Sequence, residues 1–302
     1  MKKIIVTGAS GFIGRHVIDI LKKENFEIHA LSRHGAIAEN ESVMWHSVDL
    51  FNQRDVEKCM QEVQPSHLIH LAWDATPGQY VTSLSNYQWI EATLCLFRNF
   101  VSNGGIRAVV AGTCAEYQWD QGILKEDDET NSYDTPYSAC KNYTRSLLFH
   151  LAQQTGLSLG WARLFFLYGP MEPESRLVPS IIRSLLKDET AKCTEGTQKR
   201  DFLYVEDAAE AINILLKSNE EGIYNIASGQ AIRVIDLVNH IALQFGKSHL
   251  ILPGAVKEGN VQAPLVQGDI SKIQSLGWQP KVDLYSGMNK TIQWWKNTSE
   301  RL

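Results

Sequence analysis

Short apolar runs alternate with helical periodicity through the first half of the chain, and this alternation predicts β-α-β units building a parallel sheet. Strands are expected near Lys3 to Thr7, Glu27 to Leu31, Val43 to Val48, His67 to His70, Ala108 to Ala111 and Leu157 to Arg163. Apolar positions recurring at three and four residues predict helices from Phe12 to Lys23 and from Arg54 to Val63. After Arg163 the pattern loosens, with Pro170, Pro173 and Pro179 punctuating the chain around a helix expected from about Leu177 to Leu186. The fold class is therefore read as α/β, a doubly wound parallel sheet over residues 1–165 with a smaller C-terminal lobe over 166–302. Residues 203–227 are expected to return to the sheet domain.

Composition narrows the kind of function. With 44% hydrophobic residues among 302, the chain can bury a full core. Its 29 basic and 34 acidic residues form no basic block, so neither nucleic acid nor an anionic membrane is an expected partner. Cys59, Cys95, Cys114, Cys140 and Cys193 are scattered without metal-ligand spacing, which suggests reduced thiols in the cytoplasm and no metal site. Arg163 interrupts the most apolar stretch before it reaches membrane-spanning length. Small-molecule chemistry is the expectation that remains.

The first strand runs into Thr7-Gly8-Ala9-Ser10-Gly11-Phe12-Ile13-Gly14. Gly8 permits a tight turn, Gly11 lets backbone N–H groups approach a pyrophosphate, and Gly14 lets the helix pack closely. A dinucleotide is the expected ligand. At the end of the second strand, where an acidic residue would bind a ribose 2′-hydroxyl, the chain has Ser32-Arg33. A hydroxyl and a guanidinium suit a 2′-phosphate, so NADP(H) is favoured over NAD(H), unless Arg33 is merely a solvated loop charge. Asp49 follows the third strand, where such folds often touch adenine, or it is a simple turn residue.

Thr135-Pro136 makes a good helix start ahead of Tyr137. On that helix Lys141 lies one turn beyond Tyr137, and its charge is expected to lower the phenol's pKa. Thr113, at the end of the strand from Ala108, offers a hydroxyl to a substrate oxygen while Tyr137 moves the proton. These three residues are the expected catalytic set.

Together, Gly8, Gly11 and Gly14, the Thr113/Tyr137/Lys141 set, and the segments Arg163 to Pro170, Arg200 to Asp207 and Tyr224 to Gly229 resemble the extended short-chain dehydrogenase/reductase superfamily. The likeness spans nearly the whole chain. It implies a Rossmann domain with the cofactor held by Gly8, Gly11, Phe12, Ile13, Gly14, Ser32, Arg33, Asp49, Leu50, Leu71, Ala72, Tyr137 and Lys141. It also implies a nucleotide-sugar substrate gripped by Arg176 and Arg200, with Trp73 lining the sugar pocket. A homodimer through helices around Ser83 to Val101 and Tyr137 to Gln153 is implied as well.

Departures from the superfamily pattern select among its reactions. Its dehydratases follow the threonine with an Asp-Glu pair, whereas Cys114 and Ala115 stand here and Glu116 comes one place later. Many epimerases carry an asparagine where this chain has Phe166. The resemblance thus implies NADPH-dependent reduction of a nucleoside-diphosphate-4-keto-6-deoxyhexose. An NAD-linked 4-epimerase and a catalytically silent dinucleotide sensor are the alternatives.

Overall fold

The computed structural model describes the chain except residues 34, 36–41, 121, 129–130, 258–262 and 300–302. Its first half contains β1 (Lys2–Thr7), α1 (Phe12–Leu21), β2 (Phe26–Ser32), β3 (Val43–Ser47), α2 (Gln53–Val63), β4 (His67–His70), α3 (Ser85–Ser102) and β5 (Arg107–Thr113). Then come β6 (Ile123–Leu124), α4 (Pro136–Thr155), β7 (Ser158–Leu164), β8 (Phe166–Tyr168), α5 (Leu177–Leu186), β9 (Ala191–Lys192) and β10 (Lys199–Tyr204). The remainder holds α6 (Val205–Lys217), β11 (Gly222–Ile226), β12 (Ala231–Arg233), α7 (Val234–Phe245), β13 (Ile251–Leu252), β14 (Leu265–Gly268), α8 (Ser271–Gln274) and α9 (Leu284–Ser299).

Seven strands form one parallel sheet in the order β11-β7-β5-β4-β1-β2-β3. Its central strands are buried on both faces, which is why the middles of β1 and β4, Ile4 to Val6 and Leu68-Ile69, read as continuous apolar runs rather than as alternation. On one face Val17 and Leu21 of α1 join Ala208, Ile212 and Leu215 of α6. On the other, Met60 of α2, Leu96 and Phe100 of α3 and Leu148 of α4 pack together. The predicted doubly wound α/β fold is present. Strand β11, formed late in the chain, pairs with β7 from Gly222↔Gly160 to Ile226↔Leu164.

A second sheet runs β12-β10-β14-β6, with β8 pairing β10. Helices α5, α7 and α9 cover β8 and β10 through Ile181, Leu185, Leu237, Ile241 and Met288. Gly268 of β14 donates its N–H to buried Asp201, which also accepts from the N–H groups of Ser228 and Gly229, binding the second sheet to the turn that follows β11. No helix among the described residues is long and apolar enough to cross a membrane.

Candidate active site

The order of the large sheet reverses between β1 and β4, and open α/β sheets form their ligand crevice at such a point, outside the carboxyl ends of the strands. The two bordering loops touch backbone to backbone. Gly8 has φ +67°, and a Cβ there would lie 2.8 Å from the Ala72 nitrogen and 2.9 Å from the Leu71 carbonyl carbon. A Cβ on Gly14 would meet the Gly8 oxygen at 2.1 Å, so α1 can sit this close to the loop only with glycine at that position. Gly11 donates its N–H to the Gly8 oxygen at 3.0 Å, and no side chain caps the helix that begins at Phe12 and Ile13. The first N–H groups of α1 are thus available to phosphate oxygens, and the residues present fit a dinucleotide.

Along the same edge, β2 ends in buried Ser32, and Arg33 beyond it is exposed. Exposed Asp49 follows β3 and accepts the Phe51 N–H at 3.1 Å, so the turn engages one of its oxygens. Leu50 beside it is buried in the core.

Strand β5 delivers Thr113 to this edge, and a single 3-10 turn, Cys114–Glu116, closes behind it. The Thr113 side chain accepts from Ala115 N–H, while Glu116 accepts from Thr113 N–H at 2.8 Å. Glu116 is wholly buried and turned inward: Trp161 Nε1 donates to it at 2.9 Å and Arg163 Nε at 2.9 Å. Cys114 is also buried, and burial pushes its thiol up to about 12. Neither residue offers an acid or base to the cleft.

Thr135 caps α4 in a reciprocal box with Ser138, and Pro136 occupies the first turn, a start worth about 1 kcal/mol to the helix. Helical spacing then sets Tyr137 and Lys141 on one face. The Thr113 side chain acts on the Tyr137 phenol. Burial raises that phenol above the ordinary value, and Thr113 pulls it part of the way back. This corrects the expectation that Lys141 draws the phenol down. Lys141 Nζ instead donates to the Ala111 carbonyl at 3.0 Å and lies 3.9 Å from the centre of the Trp73 ring. Burial brings the ammonium down to about 7, opposed by Glu116.

Trp73 therefore stands against Lys141, stacked on Trp89 at 5.8 Å. Arg176, at the start of α5, donates to the Ala75 oxygen at 3.4 Å and lies 5.7 Å over Tyr80, whose ring meets Tyr137 edge-on at 4.8 Å. Arg200 is buried on β10 and donates to the Lys199 and Ala263 carbonyls at 2.8 Å each. It faces Trp119, whose indole nitrogen donates to the Cys114 carbonyl at 2.8 Å. Arg176 thus reaches Tyr137 through Tyr80, and Arg200 lies on the Cys114 side.

Two residues packed around this site, Tyr80 and Asn86, escaped the sequence reading. Tyr80 belongs to the segment between β4 and α3 and Asn86 to the first turn of α3, and no spacing rule relates either of them to α4. His70 was given no chemical role of its own from the sequence. In the structure it is buried, bonded to Thr7 at 2.7 Å and Thr93 at 3.1 Å, and burial together with nearby Lys141 pulls it down to about 3, leaving it neutral.

The model of the NAD dependent epimerase/dehydratase family matches residues 4–227, from β1 through the turn after β11. The chain belongs to this family. Among relatives, a CDP-abequose synthase of Salmonella typhimurium is 24% identical over 96% of this chain and 97% of its own length. A UDP-glucose 4-epimerase structure from Thermotoga maritima superposes with a TM-score of 0.88 at 22% identity, covering 98% of this chain and 99% of that one. The structure of MoeE5 in complex with UDP-glucuronic acid and NAD gives a TM-score of 0.85 at 27% identity, covering 98% and 99%. The matched span contains the glycine loop and Thr113, Tyr137 and Lys141.

Proposed function

We propose that this family member is an NADPH-dependent reductase of the 4-keto group of a nucleoside-diphosphate-4-keto-6-deoxyhexose. The observation that carries this reading is the inward turn of Glu116. With Glu116 bound to Trp161 and Arg163, and with Cys114 and Ala115 after Thr113, a substrate at Thr113 meets one proton-transfer group, Tyr137. Elimination of water needs a second acid or base beside the ketone, whereas reduction needs only a proton for the developing alkoxide. A relative named CDP-abequose synthase is consistent with this assignment.

In this reading Thr113 donates its hydroxyl to the keto oxygen and Tyr137 protonates that oxygen as charge develops. The bound nicotinamide supplies the hydride. Gly8, Gly11 and the start of α1 hold the diphosphate of the cofactor, and Arg33 with Ser32 holds its 2′-phosphate. Arg200 and Arg176 contact the substrate's diphosphate, and Trp73 borders the sugar.

The test is incubation with NADPH and CDP-, dTDP- or GDP-linked 4-keto-6-deoxyhexoses, following loss of NADPH absorbance and product configuration by NMR. Stoichiometric NADPH oxidation with one of them is expected; failure with all three would return the site to the 4-epimerase or silent-sensor readings. Arg33→Ser should reduce the preference for NADPH over NADH by about 10- to 100-fold, the value of one charge-assisted phosphate contact. An unchanged ratio of the two kcat/KM values would make Arg33 a solvated loop charge.

A further inference from the structure

Trp73 carries more order than a pocket wall needs. Its indole nitrogen donates to the Asn86 side-chain oxygen at 2.8 Å. Asn86 is almost fully buried, and its amide nitrogen donates to the Tyr80 carbonyl at 2.6 Å and the Ser83 carbonyl at 2.8 Å. Two carbonyls facing the nitrogen fix which way round the amide lies, so its oxygen has to face the indole. The same loop reaches the other member of the pair. Tyr137 donates its backbone N–H to the Val81 carbonyl at 3.2 Å, and Tyr80 packs edge-on against its ring.

Lys141 Nζ gives one hydrogen to Ala111 and faces the negative surface of the Trp73 ring at 3.9 Å. Tryptophan is the best aromatic partner for an ammonium, and the attraction grows when the pair is removed from water. Among the described residues, the ionisable groups that bear on Lys141 are His70 from β4 and Glu116 from the turn after β5, with Tyr137 one turn before it on its own helix. His70 is neutral, and Glu116 is shared with Arg163. The indole face is therefore a principal stabiliser of the ammonium on the cleft side.

We propose that Trp73 is a positioning residue that fixes the Lys141 ammonium beside Tyr137, and that Asn86 locks both Trp73 and the loop packed on Tyr137. The proposal rests on Tyr137 and Lys141 being the proton-transfer pair, but not on the identity of the sugar. Asn86 thereby aligns two side chains that it does not touch.

The titration of Lys141 in the intact protein, without cofactor or sugar, tests this directly. Lysine carrying 13C at Cε and 15N at Nζ reports each ammonium by NMR, and Lys141→Met assigns the signal. Trp73→Leu keeps an apolar wall and removes the ring face, so the Lys141 midpoint should fall by about half to one pH unit. Trp73→Phe should fall between leucine and wild type, and Asn86→Ala should move in the same direction as Trp73→Leu. A midpoint in Trp73→Leu at or above that of wild type would overturn the proposal, because the indole would then act only by excluding water. Where a 4-keto sugar is turned over, Trp73→Leu should lower kcat with KM for the sugar little changed. A raised KM at unchanged kcat would make Trp73 a sugar platform instead. If no sugar is reduced, the proposed function fails while the titration still decides the role of Trp73.

Discussion

Replacing Tyr137 with phenylalanine is expected to lower turnover by about 10²- to 10⁴-fold, the range lost with a positioned general acid. The size follows from what stands around the phenol. Cys114 is buried with its thiol pushed up to about 12, Glu116 is held inside by Trp161 and Arg163, and His70 is neutral between two threonines. None can take over the proton. Phenylalanine preserves the ring that Tyr80 packs against, so α4 and the glycine loop keep their places. NADPH affinity, read from quenching of tryptophan fluorescence, should therefore be nearly unchanged while stopped-flow NADPH oxidation collapses. Near-normal turnover would remove Tyr137 from the chemistry, and a matching loss of NADPH affinity would make its role structural.

Glu116→Ala should produce the largest loss of stability, about 3–5 kcal/mol, the cost of removing one partner from a buried charge pair. Arg163 is almost wholly buried, its Nε is bonded to Glu116, and its Nη1 has no hydrogen-bond partner among the described residues. Without the carboxylate that charge is left in the protein interior. Trp161 Nε1 and the Thr113 N–H lose their acceptor in the same step, and Thr113 loses the anchor that aims it at Tyr137. Glu116→Gln retains an acceptor without the counter-charge and should fall between alanine and wild type. Urea unfolding followed by circular dichroism measures both losses. A value for alanine below about 1 kcal/mol, the worth of an exposed ion pair, would mean that Arg163 finds another partner.

The first half of this architecture was legible because a strand buried on both faces needs an unbroken apolar run and a surface helix needs a stripe. His67–His70 and Leu177–Leu186 lie where the pattern puts them. The site was legible wherever chemistry constrains the local chain: glycines at a close approach, a cap ahead of Tyr137, a four-residue spacing to Lys141. Electrostatics was less legible. The expectation for Tyr137 considered the nearby charge and not the burial of the phenol, and in the structure burial is the larger effect. The aromatic surroundings of Lys141 were hidden because Trp73 sits on a segment without periodicity and its partner Asn86 lies apart from it, in the first turn of α3. Their contact with α4 arises only when the β4 and β5 ends come side by side in the sheet.

Strand β11 bears on how the molecule is made. During synthesis from the N-terminus, β5 can pair with β7 as soon as Leu164 has emerged, but the other side of β7 keeps its N–H and C=O groups open until Gly222–Ile226 follows. In the interval the chain must build β8, α5, β10 and α6 beside an unfinished sheet edge. A fragment ending after β7 is consequently no minimal nucleotide-binding protein but a template with an exposed rim, prone to pair with its own copies.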